Sequence, residues 1–387
     1  MIDATTQLPL KTTTLTPLRT TNPGPAAIAV DETDNLVYVA NSADGSVSTL
    51  DGATGAEVTG KFQDFGDGSE PMGLAWDSAL DIVYVAVYGK DRVIPLNGAT
   101  GDQLPPIIVD PGPVALAYDA KTSRLFVVTQ DSQKVDVVES GATTSTALSL
   151  PDLDGPAAIG VDSRKGLAYV ANENNDTVTV FDTMSGTESG SPLVLHDDGP
   201  DGVAVDEQTQ TVYVANYVSN NVSVIDEGAR PVVTTSFAVG EQPSSVAVDL
   251  NAHTIWVANQ SDASVSVVQQ SVSPTIVSGD PTAGTVGSPY AFTFSATGVS
   301  SAPMSYSLSG SVPAGLTLTN GVLAGTPTAA GDFVITLTAS NGVDPDATVT
   351  YTLHVDAAAV IPPTNPPTMP PITTPTTTGA HLPTVAG

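Results

Sequence analysis

Residues 200–226, PDGVAVDEQTQTVYVANYVSNNVSVID, decide the fold of this chain. The stretch contains three β-branched runs of strand length, GVAV, TVYVAN and VSVID, and the polar clusters DEQTQ and YVSNN separate them. Val, Ile, Tyr and Thr favour strands, whereas Asp, Asn and Ser favour turns. The stretch therefore predicts three short antiparallel strands joined by two turns.

The same pattern occurs six times. A proline opens each copy, at positions 25, 71, 113, 156, 200 and 243, so successive copies are 46, 42, 43, 44 and 43 residues apart. An aspartate follows the proline by six residues and an aromatic residue follows it by thirteen, with no insertion between them in any copy. A period of about 40–45 residues is typical of β-propeller blades. The aspartates are Asp31, Asp77, Asp119, Asp162, Asp206 and Asp249, and the aromatic residues are Tyr38, Tyr84, Phe126, Tyr169, Tyr213 and Trp256.

The two ends of the repeat region complement each other. A small antiparallel meander cannot bury both of its faces alone, so the copies must stack, and in a ring the last copy meets the first. The sixth copy ends after residues 264–268 and lacks a counterpart of the fifth copy's fourth strand, VVTTSFAV at 232–239. The segment before the first proline resembles that strand. We therefore predict that residues 11–20 complete the sixth blade, close the ring and remove its exposed strand edges.

The remaining chain divides by composition. Residues 1–10 are predicted to be a loose lead-in, and residues 11–273 a six-bladed β-propeller. Residues 274–357 contain alternating strands separated by Asn-Gly and Gly-Thr-Pro turns, which is typical of a β-sandwich. Residues 358–387 are so rich in Pro and Thr that they cannot join a sheet, and they are predicted to form an extended, semi-rigid, disordered stalk. The predicted fold class is all-β.

Two resemblances support these assignments. The PxxxAVD and YVAN strings resemble the YVTN-repeat β-propeller family, although Val87 and Thr129 replace the usual asparagine in copies two and three. That resemblance implies a propeller and relatives among surface-layer proteins and sugar lactonases. The string PAGLTLTNGVLAGTPTAAGDFVITLTASNG at 313–342 resembles the Ig-like and cadherin-like domains of bacterial surface proteins. It implies an Ig-like sandwich that acts as a spacer or adhesive module.

Composition excludes several classes of function. The formal net charge of −30 argues against binding to nucleic acid or to anionic membrane surfaces. The chain has no cysteine, so a disulfide framework and a thiolate nucleophile are excluded. No apolar run reaches the roughly 18 residues of a membrane helix, and the residues after Met1 do not resemble a signal peptide. We therefore expect no transmembrane segment in this chain.

Acidic side chains crowd one predicted face of the ring. In a four-stranded meander, the loop before the first strand and the loop between the second and third strands share a face, and function tends to lie on such loops. The acids on the first set of loops are Asp67, Glu70, Asp110, Asp152, Asp154, Asp197, Asp198, Asp201 and Glu241, and those on the second set are Asp44, Asp91, Asp131, Glu173, Asp176 and Asp262. The opposite face is just as acidic, so charge does not choose between the faces.

These acids give two hypotheses. A binding face would use Asp67, Glu70, Asp110, Glu173, Asp176 and Glu241. Ca²⁺ prefers oxygen ligands, so Asp152, Asp154, Asp197 and Asp198 are candidate calcium ligands. His196 lies beside two of these aspartates and is a candidate general base or metal ligand, because its pKa lies near neutrality. No second histidine and no serine elbow supports His196, and a solvated loop is the simpler interpretation.

The sequence thus favours a binding or adhesion module without catalysis, secreted or displayed at the cell surface on the Pro/Thr stalk. Its partner would be a protein or a glycan. The first alternative is a metal-dependent lactonase or lyase that acts at the mouth of the propeller channel. The second is a structural subunit of a surface layer.

Overall fold

The computed structural model describes residues 15, 18–19, 24–31, 33–250, 254–299, 302–343 and 345–359. The chain divides into two compact units. The first contains residues 1–272 and 299–301, and the second contains residues 273–298 and 302–387. The described residues are nearly all in strands and turns, and the one helical segment among them is a 3₁₀ turn, Tyr88–Lys90.

The first unit contains six small antiparallel sheets in its described residues, and the strands of each sheet are consecutive in sequence. Sheets one and two contain β1 (Pro25–Asp31), β2 (Leu36–Asn41), β3 (Ser46–Asp51), β4 (Gln63–Asp64), β5 (Pro71–Asp77), β6 (Ile82–Val87), β7 (Arg92–Asn97) and β8 (Ile107–Ile108). Sheets three and four contain β9 (Pro113–Asp119), β10 (Arg124–Thr129), β11 (Lys134–Glu139), β12 (Thr146–Ala147), β13 (Pro156–Asp162), β14 (Leu167–Asn172), β15 (Thr177–Asp182) and β16 (Leu193–Val194). Sheets five and six contain β17 (Pro200–Asp206), β18 (Thr211–Asn216), β19 (Asn221–Asp226), β20 (Val232–Ala238), β21 (Pro243–Asp249), β22 (Thr254–Asn259) and β23 (Ser264–Gln269).

The repeated aspartate makes the turn between the first two strands of a sheet. In sheet one, Asp31 Oδ1 accepts hydrogen bonds from the amides of Thr33 and Asp34 at 2.9 and 3.1 Å. Asp206 accepts the equivalent pair in sheet five, from Gln208 and Thr209. A short carboxylate that bonds the backbone two and three residues ahead stabilises this turn. The predicted structural role of the repeated aspartates is thereby confirmed for these copies.

The repeated asparagine ties the second strand to the third rather than forming a turn. Asn172 Nδ2 donates to the hydroxyls of Thr177 and Thr179 at 3.0 and 2.9 Å. The same bonds recur from Asn41, Asn216 and Asn259 to side chains five and seven residues ahead. Sheet two has Val87 at this position, and Ile94 stands where the four sheets with the asparagine have Ser or Thr. In sheet two, an apolar residue therefore replaces the donor on the second strand and another replaces the acceptor on the third strand.

Successive sheets bury apolar side chains between them. Five clusters join sheets one and two, two and three, three and four, four and five, and five and six. The repeated aromatic residue belongs to these seams: Tyr38, Phe126 and Tyr169 have no exposed surface. Apolar surface removed from water at each seam is the main force that stacks the sheets.

Sheets six and one, unlike the five pairs above, share no apolar cluster in the described residues. Ile28 is 65% exposed, whereas its counterparts Leu74 and Val246 are 9% and 7% exposed. Val265 is 47% exposed, whereas its counterpart Val222 is fully buried. The predicted closing strand at 11–20 lies for the most part outside the described residues and stays a prediction. Leu18 and Arg19 are described, and their amides donate to the Asp44 carboxylate of sheet one at 2.6 and 2.5 Å.

The second unit is an Ig-like sandwich. Its strands are β24 (Val272–Ile276), β25 (Gly284–Thr285), β26 (Tyr290–Thr293), β27 (Ala296–Val299), β28 (Ser305–Gly310), β29 (Leu316–Thr319), β30 (Val322–Gly325), β31 (Gly331–Ser340) and β32 (Ala347–Asp356). One sheet has the order β25-β32-β31-β28, a second has β26-β30-β29, and β24 pairs with β27. Alternate residues of β31 and β32 point into one core, where Ile335, Leu337 and Leu353 are fully buried. The all-β fold class, propeller-like with an Ig-like domain, is confirmed.

Candidate functional site

One face of the first unit is organised by a hydrogen bond that repeats in all six sheets. The amide of the residue after the second strand donates to the carbonyl of the residue before the proline, at 2.6 to 3.1 Å. The six donors and acceptors are Ser42 and Gly24, Tyr88 and Glu70, Gln130 and Gly112, Glu173 and Gly155, Tyr217 and Gly199, and Gln260 and Gln242. Each acceptor residue has a positive φ, which favours the glycine found in four copies. The loops before the first strands and the loops between the second and third strands therefore lie side by side. We call this surface the loop face.

A central cavity opens among the first strands of the six sheets. Its volume is about 640 Å³, and β1, β5, β9, β13, β17 and β21 all contribute to its wall. Most lining side chains are small or apolar, such as Ala26, Met72, Val114 and Ala157. The neutral polar residues of the wall are Ser42, Gln130, Ser244, Ser245 and Gln260.

Asp201 is the one ionisable residue among the described residues that line this cavity. It is half-buried, and burial first and the charge of Glu173 second raise the pKa of its carboxyl to about 6. It directly follows Pro200, and the other copies have Ala, Met, Val, Ala and Ser at this position. The carboxylate is therefore an exception to the repeat, placed where the six sheets converge.

The sequence grouped Asp201 with the loop acids, but the structure places it on strand β17, in the cavity wall. The difference arises because the strand begins at Pro200 itself, two residues before the GVAV run at 202–205. A comparison of the residue after each proline would have singled it out, since no other copy has a charge there.

The candidate general base, His196, lies elsewhere. His196 is exposed on the loop between β16 and β17 and does not line the cavity. Its neighbour Asp197 is half-buried, and its carboxylate accepts hydrogen bonds from Asn221 Nδ2 at 2.5 Å and from Ser223 Oγ at 3.0 Å. These two bonds hold Asp197 against strand β19 rather than directing it toward His196.

The other candidate calcium ligands also have local positions. Asp152 and Asp154 are exposed, and Asp154 Oδ1 accepts a hydrogen bond from Asn174 Nδ2 at 3.1 Å. Asp198 is exposed, and its amide donates to Ser219 Oγ at 2.7 Å. In the part of the chain that the structure describes, no three His, Asp or Glu side chains converge in a way that could hold a metal ion.

The six predicted binding-face residues lie on loops of the first unit and outside the cavity wall. Asp67, Glu70, Glu173 and Glu241 are exposed. Asp110 forms an ion pair with Lys134, with 2.6 Å between Oδ2 and Nζ. Asp176 Oδ1 accepts the amide of Gly199 at 2.8 Å. Asp110 and Asp176 thus help to stabilise the loops. Glu173 is the member of this set whose charge acts on a cavity residue, because it raises the pKa of Asp201.

A second acidic pair lies inside the seam between sheets four and five. Glu227 is 1% exposed and Asp162 is fully buried. Burial first, and then the neighbouring Asp162 carboxyl, raise the pKa of Glu227 to about 7. Lys165 Nζ lies 3.7 Å from Glu227 Oε2, and the buried Tyr169 hydroxyl lies on the same side. This pair is remote from the central cavity wall and belongs to the packing of the two sheets.

Comparisons with known proteins bear on the two units separately. Residues 254–356 match the family described as "Putative Ig domain", a match that begins within β22 of the first unit. No curated protein sequence matches the chain. Two solved structures of virginiamycin B lyase from Staphylococcus aureus have TM-scores of 0.51 at 12% and 14% identity. The match to the first covers 64% of this chain and 85% of the lyase chain. The match to the second covers 65% of this chain and 87% of the lyase chain. A streptogramin B lyase structure has a TM-score of 0.52 at 15% identity, covering 66% of this chain and 85% of that one.

Fold and comparisons together define a class of protein: an all-β chain in which a propeller-like repeat unit is followed by an Ig-like domain. At these identities the likeness to the lyases shows the fold alone. The described residues contain no helix long and apolar enough to cross a membrane.

Proposed function

We propose that this chain is a non-catalytic binding module whose ligand occupies the central cavity of the propeller unit. The observation that carries the proposal is the convergence of all six first strands on one cavity of about 640 Å³. That volume falls within the roughly 300–1,000 Å³ typical of small-molecule sites. A few convergent polar groups that orient a ligand are also typical of such sites, and Ser42, Gln130 and Gln260 are available for that role here.

The proposal extends to where the module works. The match of residues 254–356 to an Ig-like family supports a spacer or adhesive role beside the propeller unit. Apart from residues 358 and 359, the Pro/Thr-rich segment 358–387 lies outside the described residues, and its sequence alone supports a semi-rigid stalk, because proline-rich segments are extended. We propose that the protein is secreted or displayed at the cell surface, where the cavity would take part of a glycan or protein ligand.

A cavity-filling variant tests this proposal. Ala157 lines the cavity, whereas Ala120 lies exposed on the turn that follows strand β9. The wild-type chain, Ala157→Trp and Ala120→Trp are applied to glycan and peptide arrays. Ligands held by the wild type and by Ala120→Trp should be lost with Ala157→Trp. Equal binding by all three proteins would place the ligand outside the cavity and contradict the proposal.

A lyase is the second candidate, favoured by the fold shared with proteins named as lyases. One of those structures is of a catalytically inactive His-to-Ala form with quinupristin. In this chain, however, the described cavity wall contains no histidine, and His196 lies on an exposed loop. Incubation with quinupristin, followed by chromatography, should leave the compound unchanged. Conversion that is lost in His196→Ala would instead favour the enzyme.

The surface-layer alternative is tested by assembly. A structural subunit should form ordered arrays at high protein concentration, which electron microscopy would detect. A binding module on a stalk should stay dispersed under the same conditions.

A further inference from the structure

The cavity wall has a charge pattern that selects among ligands, and this inference rests on the proposed function. We propose that the central cavity binds a ligand bearing a positively charged amine or guanidinium group, with the Asp201 carboxylate as its counter-ion. The cavity wall contributed by the other five first strands is uncharged in the described residues. One fixed negative charge in a neutral wall specifies a single cationic group.

The Asp201 carboxylate has no internal partner of opposite charge. The described residues provide no hydrogen bond to its oxygens, and no Lys or Arg lines the cavity. The charge that acts on it most is that of Glu173, on the loop face, which is also negative. A half-buried charge without a partner is costly, and a cation that enters the cavity removes that cost. Structural carboxylates in this unit behave differently: Asp110 and Asp176 both have partners.

The uncharged residues of the wall indicate the chemistry of the rest of the ligand. Met72 and Val114 offer apolar contacts, while Gln130 and Gln260 supply neutral hydrogen-bonding groups near the loop face. An amine carried on an aromatic or aliphatic body satisfies both features. Such a group can belong to a free small molecule or to the side chain of a basic residue in a peptide. Both sources share the cationic group that Asp201 would bind.

Charge steering supports the same assignment at long range. The chain carries 41 acidic and 11 Lys or Arg residues, so its field attracts cations. The exposed loop acids Glu70 and Glu241 lie on the loop face, from which a cation would approach. These residues increase the rate of approach, whereas Asp201 provides the specific contact.

Titration calorimetry on the full chain tests the inference with benzylamine as the probe and benzyl alcohol as its neutral analogue. Benzylammonium should bind the wild type at pH 8 and bind about tenfold more weakly at pH 5, because the pKa of Asp201 is about 6. Asp201→Asn should weaken binding at pH 8 at least tenfold. The control Asp102→Asn, an exposed acid outside the cavity, should bind as the wild type does.

Three results would overturn the inference: equal binding of benzyl alcohol, unchanged binding by a folded Asp201→Asn variant, or no binding of benzylammonium at all. If Asp201→Asn fails to fold, the pH dependence in the wild type still decides. Basic and neutral peptides in the same titration separate a peptide source from a free amine. A failed amine titration would not change the array result, in which Ala157→Trp abolishes ligand binding. The proposal of a cavity ligand and the proposal of a cationic ligand can therefore fail independently.

Discussion

Asp201 and Glu227 are both carboxylates whose pKa burial raises, but their surroundings give them different roles. Asp201 lines an open cavity, so its charge is available to a ligand. Glu227 is packed between two sheets with Asp162, Tyr169 and Lys165 around it. Glu227 is enclosed by its own protein and cannot contact a ligand. Because its pKa is higher in the folded state, it should make folding stability depend on pH.

The stability prediction for Glu227 has a definite sign. Its folded-state pKa is about 7, raised from 4.5, so its contribution to stability is fully present below pH 4.5 and is lost as the pH rises through about 7. A pKa shift of that size changes the free energy of unfolding by about 3 kcal/mol between low and high pH. Glu227→Gln should therefore be more stable than the wild type at pH 8 and should lose much of the fall in stability between pH 5 and pH 8.

Urea unfolding of the propeller unit at pH 5 and pH 8 measures this effect. Glu241→Gln, which changes an exposed loop carboxyl, is the matched control and should retain the wild-type pH dependence. If Glu227→Gln kept the full pH dependence, protonation of Glu227 would not be its cause.

At the scale of the element, the repeated asparagine stabilises the pairing of the second and third strands. Asn216 is fully buried, and its Nδ2 donates to Asn221 Oδ1 and to Ser223 Oγ, both at 2.8 Å. Asn216→Ala leaves these polar groups without their donor and should lower the free energy of unfolding by about 1–3 kcal/mol. Asn174→Ala, which removes an exposed amide, is the control and should change stability by less than about 0.5 kcal/mol. Equal effects of the two variants in urea unfolding would argue against the cross-strand role.

The closing strand is also a prediction at this scale. Sheet six has three strands in the described residues, and Val265 on its last strand is 47% exposed. If residues 11–20 add the fourth strand, deletion of residues 1–17 should lower the thermal midpoint of the propeller unit. Deletion of residues 1–10 alone, the predicted lead-in, should leave the midpoint unchanged. Equal midpoints for the two deletions would show that the segment does not complete the sheet.

At the scale of the whole molecule, the sequence predicted the fold more fully than the site. The spacing of proline, aspartate and aromatic residues predicted six meanders because each residue has a fixed role within one sheet, and such roles repeat. The site is not part of the repeat. Asp201 is the one charged residue among the six that follow the prolines, so it stands out only when the copies are compared with one another, and no pattern within one copy reveals it. The role of the repeated asparagines was likewise missed, because their hydrogen-bond partners lie on the next strand.

The division into two units predicts independent folding of the second. Phe294, Leu323, Ile335, Leu337 and Leu353 form its own apolar core, each at most 2% exposed. A fragment of residues 273–359 should unfold in a single cooperative transition in calorimetry. A fragment without a cooperative transition would mean that the sandwich depends on the first unit for its stability.

The most direct test of the central claim is a crystal structure of the full chain with benzylamine. The account predicts the ligand in the central cavity, with its nitrogen about 2.7–3.2 Å from an Asp201 carboxylate oxygen. Its apolar ring should contact the wall near Met72 and Val114. A ligand bound instead at the loop acids Asp197 and Asp198, with the cavity empty, would contradict the claim that the propeller unit binds its ligand at the centre.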